Sequence, residues 1–163
     1  MRIKKIEVFK YQELSESAQE QALEKFAFIN VDYEWWEYTY EDAERIGLQI
    51  KHFNLDQGGY CSGHITTRVR EVFQAILAEH GKTTDTYNLV KDMFKRSRII
   101  HKRVAKKYRG EQITDLFKEF EYALLEEYLS TLRKEYDYLC SKEAIEETIK
   151  ANEYEFTKEG RLA

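Results

Sequence analysis

The 163-residue chain has no proline, only two cysteines, no long apolar run and no recognised catalytic signature. Average usage would place roughly eight prolines in a chain of this length. Linkers and rigid turns draw on proline, so its absence argues against a hinged, multidomain chain and for a single domain over 1–163. Cys61 and Cys140 are too few for a disulfide framework, which points to a reducing cytosol. No stretch approaches the roughly 18 apolar residues of a membrane span, and Met1-Arg2-Ile3-Lys4-Lys5 leads into no signal-type segment. Metal binding has little support. Cys61 and His64 have chelate spacing, but no second pair accompanies them, and His52, His80, His101 and Cys140 are scattered. No serine or cysteine sits in an elbow or triad-like setting, so no catalytic residue, cofactor or metal is expected.

What the chain does have is ring surface and unevenly placed charge. Its 12 Tyr, 9 Phe and 2 Trp exceed what disordered segments carry, so a packed core is expected. The net charge of −4 divides into −5 over residues 1–81, +8 over 82–110 and −7 over 111–163. Such separation fits either a polyanion-binding surface or neutralisation between neighbouring elements.

The stretch from Ile3 to Tyr11 alternates loosely, as a strand does. Ser15 or Ser17 suits a helix start, the latter with Glu20 at capping-box spacing, for a helix reaching about Phe28. A second helix from near Asp32 to Gly47 puts Trp36, Tyr40, Ala43 and Ile46 on one stripe. Strands over 48–55 and 60–66 flank Asp56-Gln57-Gly58-Gly59 as a hairpin. Helices then follow over 68–80, about 86–108 and about 113–139, with Gly81 and Gly110 as the breaks. Ser141 is the expected N-cap of a short helix to Ala151, and Tyr154-Glu155-Phe156-Thr157 a last strand joining the sheet. The expected class is α+β: a small antiparallel sheet of three or four short strands with five to six helices. Two of those helices form a long charged antiparallel hairpin. Residues 1–81 make the βααββα, sheet-containing part; residues 82–163 make the helical hairpin, short helix and closing strand.

Three constellations carry possible chemistry. The basic stretch 91–109 could neutralise phosphates, with Lys102, Arg103, Lys106 and Lys107 as the polyanion candidates and Phe94 and Tyr108 as stacking rings. The competing reading is that the Glu-rich helix after it lies alongside and offsets the charge. In the second helix, Trp35 and Trp36 are about 100° apart and cannot both face inward. With Trp36 on the apolar stripe, Trp35 shares a flank with Tyr38 and Asp42, either packing on a neighbour or forming a platform. Gly58, Gly59 and Gly63 could expose backbone N–H groups as an anion nest beside His64 and Arg68, or simply make a turn and a bulged strand. Glu34, Glu37, Glu41 and Glu44 make an acidic stripe, a solvated face or a surface for a basic partner.

Several segments carry a family likeness. They are Tyr11-Gln12-Glu13-Leu14-Ser15, Val31-Asp32-Tyr33-Glu34-Trp35-Trp36, the run from Tyr40 to Ile50 and Phe53-Asn54-Leu55-Asp56. Toward the end come the run from Leu132 to Leu139 and Ala151-Asn152-Glu153-Tyr154-Glu155-Phe156-Thr157. Together they resemble a widespread family of small proteins carried by phages, prophages and plasmids, some loosely labelled antitoxin-like. The resemblance implies an accessory protein working in the cytoplasm of a bacterial host, against defences, by blocking a protein or capturing a nucleotide signal.

The expected function is therefore a non-catalytic sponge for a nucleotide second messenger. Its ligand-binding candidates are Trp35, Trp36, Tyr38, Gly58, Gly59, Tyr60, His64 and Arg68. An antitoxin-like or anti-defence inhibitor that binds a host protein or nuclease through acidic and aromatic surfaces is the alternative. A nucleic-acid or nucleotide-processing enzyme comes third. The expected partners are a nucleotide signal or a host defence protein, with nucleic acid possible through 91–109, a second copy of the chain possible, and no membrane.

Overall fold

Helices begin where a side-chain oxygen can take up a free backbone N–H. Ser15 Oγ accepts from Ala18 N at 3.4 Å and opens α1 (Glu16–Lys25), so the cap is the first of the two serines considered. Ser141 Oγ accepts from Ala144 N at 3.3 Å and opens the last helix, as its sequence suggests. The computed structural model describes residues 7–163. Its elements are β1 (Phe9–Lys10), a single 3-10 turn, α1, α2 (Glu37–Arg45), β2 (Leu48–Asn54), β3 (Tyr60–Ile65), α3 (Val69–Glu79), α4 (Asp85–Arg103), α5 (Lys106–Leu139), α6 (Lys142–Ala151) and β4 (Glu155–Phe156). The α+β class holds, with six α-helices and four short strands among the described residues.

The strands do not form one sheet. β2 pairs antiparallel with β3, and β4 pairs antiparallel with β1, Phe9 opposite Phe156 and Lys10 opposite Glu155. The closing strand thus joins β1 and not the hairpin. Of the opening strand expected over 3–11, Phe9–Lys10 is extended and paired; residues 1–6 lie outside the described residues.

The chain divides into two compact units. One comprises the segment up to Trp35 with Lys134–Ala163; the other is Trp36–Arg133. The division does not fall at 81/82. In the first unit Tyr11, Leu14, Ala18, Ala22, Ile145, Ile149 and Phe156 are buried together. Buried Asn30 is partnered on both its polar atoms there, donating to Leu139 O at 3.0 Å and accepting from Thr148 Oγ1 at 2.7 Å.

The second unit is built on the β2–β3 hairpin, packed with α2, α3, α4 and α5 around Ile46, Leu48, Val72, Phe73, Ile76 and Phe120. Phe73 meets Phe94, Phe117 and Phe120 edge-on at 5.4, 6.4 and 4.8 Å between ring centres. Glu121 of α5 accepts from Ile65 N at 3.0 Å and ties α5 to the edge of β3.

Three local expectations are corrected. α2 begins at Glu37, not near Asp32, so Trp35 and Trp36 sit in the turn before it and escape helical phasing. Trp35, not Trp36, is the buried one. The helix break expected at Gly110 lies at Val104–Ala105, and Gly110 is inside α5 with open space around it. An interior glycine costs a helix only about 1 kcal/mol relative to alanine, which the packed length of α5 offsets. Third, the bulge is in β2: Ile50 faces Gly63 and His52 faces Ser62, leaving Lys51 as the extra residue.

Candidate functional site

The sequence candidates fall in separate places. Trp35 is buried in the first unit, its ring 5.6 Å from that of Tyr136. Trp36 is half-buried and edge-on to Phe53 at 5.6 Å. Gly58 takes φ +76° at the tip of the hairpin turn, the left-handed region that favours glycine. Gly59 spends its N–H on Asp56 O at 2.7 Å, which leaves that donor unavailable to an anion. Tyr60 is exposed at the start of β3, and His64 is half-buried within it, opposite Gln49. Arg68 is exposed at the start of α3, where its N–H donates to Glu71 Oε2 at 3.2 Å. Lys102 and Arg103 end α4, and Lys106 and Lys107 open α5; all four are exposed. Of these candidates, Tyr38 lies on a cavity that holds further polar chemistry.

That cavity, about 460 Å³, lies within the second unit among α2, α3, α4 and α5. Its volume is in the range of ordinary small-ligand sites. Asp42 stands at its centre. One turn of α2 beyond Tyr38, it receives Tyr128 Oη on Oδ2 at 2.8 Å and Arg45 Nη2 on Oδ1 at 3.0 Å. His80 Nε2 lies 3.6 Å from the same Oδ2, beyond hydrogen-bond reach, and is buried with no hydrogen-bond partner. The other ring nitrogen, Nδ1, is 2.7 Å from Thr86 Oγ1, which is 3.2 Å from Thr84 Oγ1.

Local structure explains the placement. α3 ends at Glu79, and His80 follows in extended conformation, its N–H donating to Ile76 O at 3.0 Å. Thr84 caps α4 by accepting from Tyr87 N at 3.3 Å, and so fixes both threonines against the imidazole. Tyr128 reaches in from the middle of α5. Its phenol is pushed far above the ordinary tyrosine range, first by burial and then by the hydrogen bond to, and charge of, Asp42. It stays a donor at any physiological pH. Asp42 is held on three sides, yet its side chain is 37% exposed, so one side remains open. A carboxylate offers about four acceptor positions, and two are in use.

Asp42, His80, Thr86 and Tyr128 are the residues sequence reasoning did not bring together. The shared flank of Tyr38 and Asp42 is a usable signal in the sequence, whereas His80 stands there as an isolated histidine and Tyr128 as a core position. No protein-family model, no curated protein and no solved structure matches the chain.

Proposed function

We propose that the chain is a non-catalytic binder that sequesters a signalling nucleotide, as a mobile-element protein acting against a host defence would do. The base enters the cavity at Asp42. The observation that supports this most is the carboxylate itself: oriented by Tyr128 and Arg45, flanked by His80, and open on one side. Two parallel donors fit its free positions, and guanine presents such a pair at N1–H and the 2-amino group. Tyr38, 79% exposed at the rim, supplies a stacking face. Among the described residues the Lys or Arg on the cavity wall is Arg45, against Asp42 and Glu127, so the phosphate stays outward beside Arg45.

Calorimetric titration with guanosine monophosphate, adenosine monophosphate and guanosine tests this. The two guanine ligands bind, the adenine one binds at least tenfold more weakly, and Asp42→Asn abolishes the difference. Absence of binding by all three, or undiminished binding by Asp42→Asn, contradicts the reading. Chemical conversion of the bound nucleotide would make the protein an enzyme instead.

A specific observation also favours a protein inhibitor. Glu37, Glu41 and Glu44 are all exposed on α2, an acidic row beside Tyr38 that suits a basic partner. Loss of partner capture in a variant with all three changed to glutamine, with nucleotide binding intact, would separate the two.

A further inference from the structure

The turn between α4 and α5 splits the basic block instead of following it. Residues 98–110 contain Arg98, Lys102, Arg103, Lys106, Lys107 and Arg109 and no aspartate or glutamate. With the break at Val104–Ala105, three of these cations end α4 and three open α5. Both arms therefore contribute positive charge to one tip. Five of the six are exposed, and Arg109 is turned inward, its Nε donating to Val104 O at 2.8 Å.

Neutralisation by α5 does not reach this tip. Arg96 pairs with Glu119, and these two residues line one groove with Ile99 and Ile100 of α4 and Gln112, Asp115 and Leu116 of α5, a groove that includes none of the six tip cations. Of the acids on the first turns of α5, Glu111 lies one turn beyond Lys107 but forms no ion pair among the described residues, Asp115 is 3.6 Å from Lys118, and Glu121 is taken by the N–H of Ile65. Among the described residues none of the six tip cations forms an ion pair. Lys106 and Lys107 also stand in the first turn of a 34-residue helix that has no acid there, where positive charge is disfavoured. An incoming anion relieves that repulsion.

We propose that this tip binds the phosphodiester backbone of nucleic acid without reading its sequence. Lysine and arginine on both arms of a helical turn form a narrow convex surface that can enter a groove between phosphate rows. Adsorption to a bilayer relies on a broad apolar face, and between Arg98 and Arg109 the exposed large apolar side chains are Ile99 and Tyr108. Lys107 Nζ already lies over the Tyr108 ring at 4.5 Å. The tip involves none of the residues assigned to the Asp42 cavity, so the two proposals stand independently.

The test is fluorescence anisotropy with a labelled DNA duplex of about two helical turns and arbitrary sequence, titrated between about 50 and 200 mM potassium chloride. Each phosphate contact contributes a slope of about −0.9 in log affinity against log salt, so about five contacts predict a slope near −4.5 and a fall of about 500-fold across that range. Lys102→Gln/Lys106→Gln/Lys107→Gln reduces the slope by about 2.7. Arg98→Gln/Arg103→Gln reduces it by about 1.8 and serves if the triple variant fails to fold. No binding at about 50 mM salt overturns the proposal, as does an unchanged slope in the folded variants. Binding to phosphatidylserine vesicles with none to the duplex overturns it too.

Discussion

The hydrogen bond between Tyr128 and Asp42 should couple α5 to α2 measurably. Tyr128→Phe keeps the buried ring and removes only the hydroxyl, so no cavity term enters. What is lost is a 2.8 Å bond to a charged acceptor. Such bonds contribute about 1.5–3 kcal/mol, and because Asp42 is partly exposed water replaces some of it, leaving about 1–2 kcal/mol. Asp42→Ala should cost more, about 2–3 kcal/mol, since it strands a buried phenol without an acceptor. Its pair with Arg45 adds at most about 0.5 kcal/mol, because the arginine is largely exposed. The double variant should be hardly worse than Asp42→Ala alone, for a coupling energy of about 1–2 kcal/mol. Urea unfolding followed by far-ultraviolet circular dichroism measures all four proteins, and an unchanged m-value validates the comparison. Additive losses, or a Tyr128→Phe effect below about 0.3 kcal/mol, would refute a carboxylate held in place by this bond.

Trp35→Ala should lose about 3–5 kcal/mol in denaturant unfolding, because the residue is 6% exposed and packs on Tyr136; a near-neutral result would restore it as a binding platform. A Cβ at Gly63 would lie 2.1 Å from Gln49 O, so Gly63→Ala should cost on the order of 1–3 kcal/mol by the same assay, with little change contradicting the strand register. Burial pushes the Cys61 thiol up to about 11, so near pH 8 its alkylation should run roughly a hundredfold slower in the folded protein than after unfolding. Burial and Glu146 likewise raise the Tyr11 phenol to about 12. For both groups the neutral form is favoured by folding, so this stability is fully present below the ordinary values of 9.0 and 10.0 and is lost as pH rises through 11 and 12. An alkaline unfolding profile flat across that window would contradict these environments.

What the sequence made legible were features with local causes. The hairpin over 48–65 follows from two short segments flanking a glycine-dense turn, and Ser141 caps α6 through its own side-chain oxygen. The pairing of β1 with β4 was not legible, since two-residue strands 147 positions apart carry no periodicity. Val104 and Ala105 bear no turn signature, whereas Gly110 does, yet the chain turns at the former and runs helical through the latter. That difference divides the basic residues between the end of α4 and the start of α5. Trp35 and Trp36 precede α2, so helical phasing does not govern which of them is buried. The cavity was hidden for another reason: Asp42, His80 and Tyr128 come from three elements, and each alone has an ordinary structural role.

Native mass spectrometry of the protein purified without denaturant, from bacterial cells with active defences, tests the central claim most directly. Sequestration predicts one nucleotide per chain, released on heating and absent from Asp42→Asn. A stoichiometric host protein with no nucleotide would contradict it.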